Sequence, residues 1–191
     1  MIVCKPLSVQ DHIQVFALGA QLFREEDVPE IGNALATACA PSTVLLAPTG
    51  HVAGFALFCR GQCISTKTSP NHRLYSQVLG KDLKTVELAF LAIDPAYQGA
   101  GLGSRLLAHC LGQLPPEAVC WLVTEVDHTA AARLYTKHGF HNLHTIADAH
   151  PCPLYLWIRP GKFDIPMPPL SIPPTLSKCP RNAALSSTMI T

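Results

Sequence analysis

Three glycines stand close together in the segment Gln98–Ser104, between an apolar strand-like run and an apolar helix-like run. A glycine-rich turn that opens a helix leaves several backbone N–H groups without an acceptor at the positive end of the helix dipole. Such amides bind phosphate or pyrophosphate without a charged side chain, and glycine lets the backbone approach the ligand closely. The segment therefore predicts a site for a phosphorylated cofactor, built from Gln98, Gly99, Ala100, Gly101, Leu102, Gly103 and Ser104.

Two common phosphate-binding patterns do not match this segment. A P-loop has a Lys directly after its last glycine, whereas Ser104 and Arg105 follow Gly103. A dinucleotide-binding turn comes directly at the end of the first strand of a βαβ series, whereas this segment lies in mid-chain behind Asp94–Tyr97. A dinucleotide-binding oxidoreductase, with Glu125 as its ribose ligand, is therefore disfavoured.

A third pattern, Gln/Arg-x-x-Gly-x-Gly/Ala, is satisfied by Gln98, Gly101 and Gly103. The strand before it ends in the apolar segment Leu91–Pro95, which has the spacing hydrophobic-x-hydrophobic-x-Pro. About thirty residues later, the segment Glu125–Phe140 ends in Leu-Tyr-x-Lys-x-Gly-Phe. In these motifs, and in their order and spacing, the chain resembles the GNAT superfamily of acyl-CoA-dependent N-acetyltransferases.

The resemblance is specific over Val86–Phe140, and in topology it extends over Ile2–Arg159. It implies an α/β fold of the GNAT type. We expect a mixed, mostly antiparallel sheet of six to seven strands, flanked by about four helices. In this fold the strands on either side of the cofactor helix splay apart to admit the pantetheine arm.

The resemblance also implies acetyl-CoA as cosubstrate and no metal. The backbone of Leu91, Ala92 and Ile93 is expected to contact the pantetheine arm, with one N–H at the thioester carbonyl, and Gln98–Ser104 to hold the pyrophosphate. One position departs from the family, because His128 stands where an Asn commonly contacts the cofactor. An imidazole could provide the same hydrogen bond or act as an acid or base, and a surface residue beside a helix start is the alternative.

Acetyl transfer to an amine needs one group that accepts the amine proton and another that serves the leaving thiolate. Glu87 is the candidate general base, and period-two alternation predicts that it shares a face with Ala89, Leu91 and Ile93. A solvated carboxylate at the start of the strand is the alternative. Tyr135 is implied as the general acid that reaches the CoA sulfur, and it could instead be an aromatic side chain that only packs the helix onto the sheet.

These residues predict an N-acetyltransferase that moves the acetyl group directly to a primary amine in a ternary complex. The acceptor can be a protein lysine, a protein N-terminus or a small-molecule amine, and the acidic run Glu25–Asp27 would suit a cationic one. The alternative is a catalytically silent acyl-CoA-binding or regulatory module. Glu87 and Tyr135 together favour an enzyme, because a binding module needs neither.

Composition limits the class of protein. The chain has 191 residues, 48% of them hydrophobic, and a net charge of +1, which gives no indication of a nucleic-acid partner. It contains no apolar run of about 18 residues, so we expect no membrane span. Met1–Pro6 lacks the features of a signal peptide, which predicts a cytoplasmic location. Residues 1–160 are predicted to form the N-acetyltransferase domain and residues 161–191 a Pro-rich, flexible tail.

Cysteine usage favours free thiols over disulfides. Of the eight cysteines, Cys4, Cys39, Cys110 and Cys120 lie in apolar runs and are predicted to behave as small buried hydrophobic residues. The Cys59-x₃-Cys63 pair has no second pair to complete a zinc site, so no metal is expected. A monomer or a homodimer is compatible with these features.

Hydrophobic periodicity predicts the element order β-α-α-β-β-β-α-β-α-β-β. The first helix is predicted over Val9–Phe23 with Ser8 as its N-cap, and the second over Glu30–Cys39, ended by Pro41. The segment Arg60–Lys84 is interpreted as a loop. The other predicted elements are Ile2–Pro6, Val44–Ala47, Val52–Phe58, Thr85–Ile93, Gly101–Leu114, Val119–Val126, Thr129–His138, His141–Ile146 and Leu154–Arg159.

Overall fold

The computed structural model describes residues 2–60, 85–146 and 153–161. Within them, one seven-stranded sheet has the strand order β1-β2-β3-β4-β5-β7-β6. Short 3-10 turns at Val9–Asp11, Glu25–Asp27 and Pro95–Tyr97 precede α1, α2 and the glycine loop. The elements in chain order are β1 Val3–Pro6, α1 His12–Leu22, α2 Val28–Thr37, β2 Ala38–Leu46, β3 Val52–Arg60, β4 Thr85–Ile93, α3 Leu102–Leu111, β5 Val119–Glu125, α4 Thr129–Lys137, β6 His141–Ile146 and β7 Leu154–Arg159.

All neighbouring strands of this sheet are antiparallel except β4 and β5, which are parallel. Such a pair needs a crossover, and α3 provides it. The predicted mixed, mostly antiparallel sheet with its flanking helices is confirmed.

The parallel pair β4–β5 is joined only at its beginning. Thr85, Val86 and Glu87 lie opposite Val119, Cys120 and Trp121, and no later residue pair joins the two strands. β4 continues to Ile93 and β5 to Glu125. The two strands therefore diverge as predicted, and we call the gap between Leu88–Ile93 and Leu122–Glu125 the β4–β5 opening.

Helices cover both faces of the sheet, which explains the continuous apolar run of β3, buried from Val52 to Cys59. On one face α3 and α4 pack against Leu91 and Ile93 of β4, in the larger core cluster. On the other face α1 and α2 pack against Phe55, Leu57 and Ala92. We refer to these as the α3/α4 face and the α1/α2 face.

The N-terminal helical segment begins after Ser8 as predicted, but its first turn, Val9–Asp11, is a 3-10 helix, and the α-helix α1 begins only at His12. The Ser8 backbone N–H donates to Asp11 Oδ2 at 2.9 Å, and Lys5 Nζ lies 3.1 Å from Asp11 Oδ1. Ser8 thus precedes the first turn, where a small polar residue can complete the backbone hydrogen bonding of a helix start.

The second helix differs from the prediction at both ends. It begins at Val28 and ends at Thr37, so Pro41 lies inside β2 and does not end the helix. The pairing of β2 with β3 is irregular between Cys39 and Thr43. Proline lacks a backbone N–H and is tolerated at such an irregularity, which is why the strand continues through it.

The glycine-loop helix also ends earlier than predicted, at Leu111, with Gly112 as its C-cap. Gly139 follows α4 with φ +81°, in the left-handed conformation expected of a C-terminal glycine. Arg60, predicted to begin a loop, is the last residue of β3. The predictions for residues 61–84 of that loop, which include Cys63, and for residues 162–191 of the Pro-rich tail lie outside the described residues and stay predictions.

The cysteines of the described segments are free thiols: Cys4, Cys39, Cys59, Cys110 and Cys120. Cys110 and Cys120 are buried as predicted, whereas Cys4 and Cys39 are only half-buried. Burial raises the pKa of Cys110 to about 11, so this thiol is protonated at neutral pH. No helix in residues 2–60, 85–146 and 153–161 combines the length and apolar character that crossing a bilayer requires.

Candidate functional site

The glycine loop folds back on the end of β4. Asp94 Oδ1 accepts a hydrogen bond from the Ala96 N–H at 2.8 Å and so holds the 3-10 turn that follows the strand. The Gln98 side-chain amide donates to the Ile93 carbonyl at 2.9 Å. The Gln98 side chain therefore fixes the loop to the strand end, which positions the glycines beside the β4–β5 opening.

The loop geometry agrees with an anion site made by backbone amides. Gly99 and Gly101 have φ values of +78° and +69°, which residues with a Cβ rarely adopt. The first backbone hydrogen bond of α3 runs from the Arg105 N–H to the Gly101 carbonyl at 3.1 Å. The amides of Leu102, Gly103 and Ser104 precede it, and no backbone acceptor for them lies within the described part of the chain. These donors can hold a phosphate group.

The backbone of β4 presents two amides to the opening. The Asp94 N–H donates to the Ala53 carbonyl at 3.0 Å, toward β3. Because strand amides alternate between the two edges, the Ala92 N–H also faces β3, whereas those of Leu91 and Ile93 face the opening. Of the three residues predicted to contact the pantetheine arm, Leu91 and Ile93 thus point their backbone N–H groups toward the opening, whereas the Ala92 N–H points away from it.

Glu87 lies where the opening begins. Its side chain is 3% exposed, and the residue lies opposite Cys59 of β3 and Trp121 of β5. Val86 and Leu88 on either side belong to the core of the α3/α4 face, so Glu87 lies on the α1/α2 face. The prediction of a solvated carboxylate at the strand start, kept as the alternative for Glu87, is wrong.

The predicted face relationship of Glu87 is wrong for two residues. Leu88 lies opposite Phe58, but Phe90 lies opposite Leu57, so Ala89 is an extra residue in β4. This β-bulge reverses the alternation, and from there Leu91 and Ile93 lie on the α3/α4 face. Glu87 shares its face with Ala89, Phe90 and Ala92 instead.

Tyr135 lies in the core of the α3/α4 face. Its ring centroid is 5.7 Å from that of Phe140 and 6.2 Å from that of Trp157. Burial, followed by the thiol of Cys120, raises the pKa of Tyr135 above its ordinary value. The phenol therefore keeps its proton through the neutral range and can donate a hydrogen bond. Glu87 and Tyr135 thus lie on opposite faces of the sheet.

His128 lies at the start of α4, half-exposed, and its carbonyl accepts a hydrogen bond from Ala132 N–H at 2.9 Å. Its Nε2 is 3.8 Å from Glu125 Oε2. Glu125 also forms an ion pair with Arg24, a residue that the sequence did not single out. The pair joins the segment between α1 and α2 to the end of β5, across one hundred and one residues of chain, so no local signal could have indicated it.

Within the described residues, Glu125, Asp127 and His128 each offer one potential ligand atom, and these three atoms lie within 4.8 Å of one another, close enough to surround a cation. The Arg24 guanidinium already neutralises Glu125 in this cluster. An ion-pair network explains the arrangement, and we assign no metal to it.

A second contact missed by sequence reasoning links the glycine loop to α4. Ser104 Oγ lies 2.9 Å from His138 Nε2. Burial, followed by the positive charges of Lys137 and Arg159, lowers the pKa of His138, so its imidazole is neutral at pH 7. His138 occupies a variable position of the Leu-Tyr-x-Lys-x-Gly-Phe motif, and only the tertiary structure shows this contact.

A relative with matching sequence is the [ribosomal protein bS18]-alanine N-acetyltransferase of Escherichia coli strain K12. It is 40% identical over 52 residues, which cover 26% of this chain and 35% of that protein. The match therefore spans about a third of the relative's length.

Two solved structures have the same fold over most of the chain. Arabidopsis thaliana NAA60 in complex with acetyl-CoA gives a TM-score of 0.60 at 15% identity, covering 83% of this chain and 98% of that one. Arabidopsis thaliana Naa50 in complex with the bisubstrate analogue CoA-Ac-MVNAL gives a TM-score of 0.58 at 18% identity, covering 82% of this chain and 97% of that one.

The model of the acetyltransferase (GNAT) family matches residues 13–140. The chain belongs to the GNAT acetyltransferase family.

Proposed function

We propose that this protein transfers the acetyl group of acetyl-CoA directly to a primary amine in a ternary complex. The observation that carries the proposal is the position of the glycine-loop amides at the end of the β4–β5 opening, toward which the Leu91 and Ile93 amides point. Together these donors match a long ligand with a diphosphate at one end and amide groups along its length.

In this proposal the amides of Leu102, Gly103 and Ser104 hold the diphosphate of acetyl-CoA. The Leu91 and Ile93 amides pair with the pantetheine arm as they would with a neighbouring strand. One of the two donates to the thioester carbonyl oxygen, where negative charge develops as the amine attacks. Substrate positioning by these amides supplies a large part of the catalysis.

Glu87 and Tyr135 act from opposite faces of the sheet. Glu87, on the α1/α2 face, accepts the proton that the attacking amine loses, as a general base. Tyr135, on the α3/α4 face, donates a hydrogen bond to the sulfur as the carbon–sulfur bond breaks. The amine adds to one face of the planar thioester and the sulfur then leaves from the tetrahedral intermediate, so the amine proton and the sulfur can be served by two separate groups.

A protein amine is the acceptor class to test first. The curated relative is named for the alanine of a ribosomal protein, and the Naa50 structure contains a bisubstrate analogue with a peptide. Glu25 and Glu26 are exposed in the 3-10 turn before α2, where they would attract a cationic amine. Peptides with a free N-terminus and peptides with an internal lysine distinguish the two protein acceptors, and polyamines represent small ones.

The test begins with calorimetric titration of the whole chain with acetyl-CoA. We expect the wild type to bind acetyl-CoA and Gly101→Ala to lose about tenfold or more in affinity. The reason is that Gly101 has a φ of +69°, where a residue with a Cβ is strained. Gly50→Ala is the matched control, since Gly50 also has a positive φ, of +82°, but lies in the β2–β3 turn. Release of free CoA thiol with each acceptor then measures turnover.

Absence of acetyl-CoA binding to the wild type would refute the proposal. Binding of acetyl-CoA without turnover on any acceptor class would favour the silent acyl-CoA-binding module instead.

A further inference from the structure

The contact between Ser104 and His138 joins the two elements that carry the proposed site. Ser104 is the third residue of α3, and His138 is the C-cap of α4, whose last turn includes Tyr135. A Cβ on Gly103 would lie 3.7 Å from Ile93 Cγ1 and 3.9 Å from Leu134 Cδ2, at ordinary contact distance, so the helix start lies beside both β4 and α4. The hydrogen bond of 2.9 Å between the half-buried side chains of Ser104 and His138 therefore links α3 to α4 where both helices lie beside the end of β4.

The single hydrogen of the Ser104 hydroxyl decides what this contact can do. If Ser104 donates to His138, only its lone pairs remain for a ligand, and these repel an anion. If His138 Nε2–H donates to Ser104, the hydroxyl hydrogen is free to point at the anion. Among the described residues, the charged groups that lower the pKa of His138 are the cations Lys137 and Arg159, and a hydrogen bond from Nε2–H to Ser104 places no further positive charge beside them.

We propose that His138 is a positioning residue for acetyl-CoA: it donates from Nε2 to Ser104 Oγ and so directs the Ser104 hydroxyl hydrogen at the cofactor diphosphate. The inference rests on the proposed function, because it needs the diphosphate at the glycine loop. His138 touches no reacting atom, so it sets the affinity for acetyl-CoA and leaves the chemical step unchanged. A bound diphosphate also favours the imidazolium form, so affinity increases as the pH falls toward the titration of His138.

The test is a double-mutant cycle on acetyl-CoA binding, measured by calorimetry on the whole chain. Ser104→Ala and His138→Leu are each expected to weaken binding about tenfold, the loss of one hydrogen bond to a charged group. Since His138 acts through Ser104, the double variant is expected to bind no more weakly than Ser104→Ala alone. His138→Gln keeps an N–H donor and is expected to restore most of the affinity. His109→Leu, an exposed histidine of α3, is the control and is expected to bind like the wild type.

Titrations between about pH 7.5 and about pH 5.5 add a second readout. The wild type is expected to gain affinity relative to His138→Gln as the pH falls, and thermal melts check that each variant is folded. Additive losses in the cycle, or parallel pH dependences of the two proteins, would overturn the inference while leaving the acetyltransferase proposal intact. A wild type that does not bind acetyl-CoA would overturn both.

Discussion

Glu87 lies opposite Trp121 in the last residue pair that joins β4 to β5. The carboxylate is therefore held at the closed end of the β4–β5 opening, where the sheet is still continuous. Two residues further along β4 the bulge at Ala89 turns the following side chains over. This arrangement keeps Glu87 on the α1/α2 face while the Leu91 and Ile93 amides line the opening.

Replacing Glu87 by Gln tests its role as the proton acceptor. The amide has nearly the same shape but cannot accept the proton, so we expect kcat to fall about 10²-fold or more. The Kd for acetyl-CoA should stay within about twofold, because Glu87 lies on the face away from α3. Steady-state kinetics and calorimetry on the same preparation check this. An unchanged kcat would remove Glu87 from the mechanism.

Replacing Tyr135 by Phe separates its hydroxyl from its ring. The ring contacts with Phe140 and Trp157 persist, so the free energy of unfolding should change by no more than about 1.5 kcal/mol. Loss of the hydrogen bond to sulfur should lower kcat about tenfold. Because the pKa of Tyr135 is raised, wild-type activity should show no loss from its ionisation below about pH 10. A Phe variant with full activity would leave Tyr135 only its packing role.

The close contact of β3 with β4 beside the opening predicts a stability effect at Gly54. A Cβ there would lie 2.6 Å from Ile93 Cδ1 and 2.8 Å from the Ala92 carbonyl oxygen. Gly54→Ala should therefore lower the free energy of unfolding by about 1–3 kcal/mol, measured in urea. Gly32→Ala in α2 is the matched control, because among the described residues its Cβ would meet only Phe16, at 3.6 Å. This substitution should raise the free energy of unfolding by up to about 1 kcal/mol. Equal effects of the two substitutions would contradict this packing.

Asp11 should make the stability of the protein depend on pH in the acid range. Burial acts to raise its pKa, but hydrogen bonds from Ser8 and Lys5 prevail, and the pKa of Asp11 is lowered. A carboxylate whose pKa is lower in the folded state than in the unfolded state stabilises the fold. This contribution is fully present above the unfolded-state pKa, near pH 4, and it is lost as the pH falls through the folded-state pKa. Asp11→Asn should therefore flatten the loss of stability below about pH 4, as measured by denaturant unfolding at several pH values. The same slope in both proteins would assign the acid sensitivity to other carboxylates.

Several features of the fold could be predicted from the residues alone. The bounds of β4, Thr85–Ile93, and the positive φ of Gly139 agree with the structure. The divergence of β4 from β5, which the resemblance to the GNAT superfamily implies, is also present. The glycine loop could also be predicted from the sequence, because it is defined by the backbone conformation of a few consecutive residues. A positive φ and a helix start with free amides depend on neighbours in the chain, and the residue types record them directly.

The side-chain faces and the long-range contacts required the tertiary structure. Alternation along β4 places Glu87 with Leu91, and only the register against β3 reveals the bulge at Ala89 that separates them. Ser104 and His138 are 34 residues apart, and Arg24 and Glu125 are 101 apart. Sequence patterns describe local periodicity, whereas these contacts form because the packing of the helices on the sheet brings distant segments together.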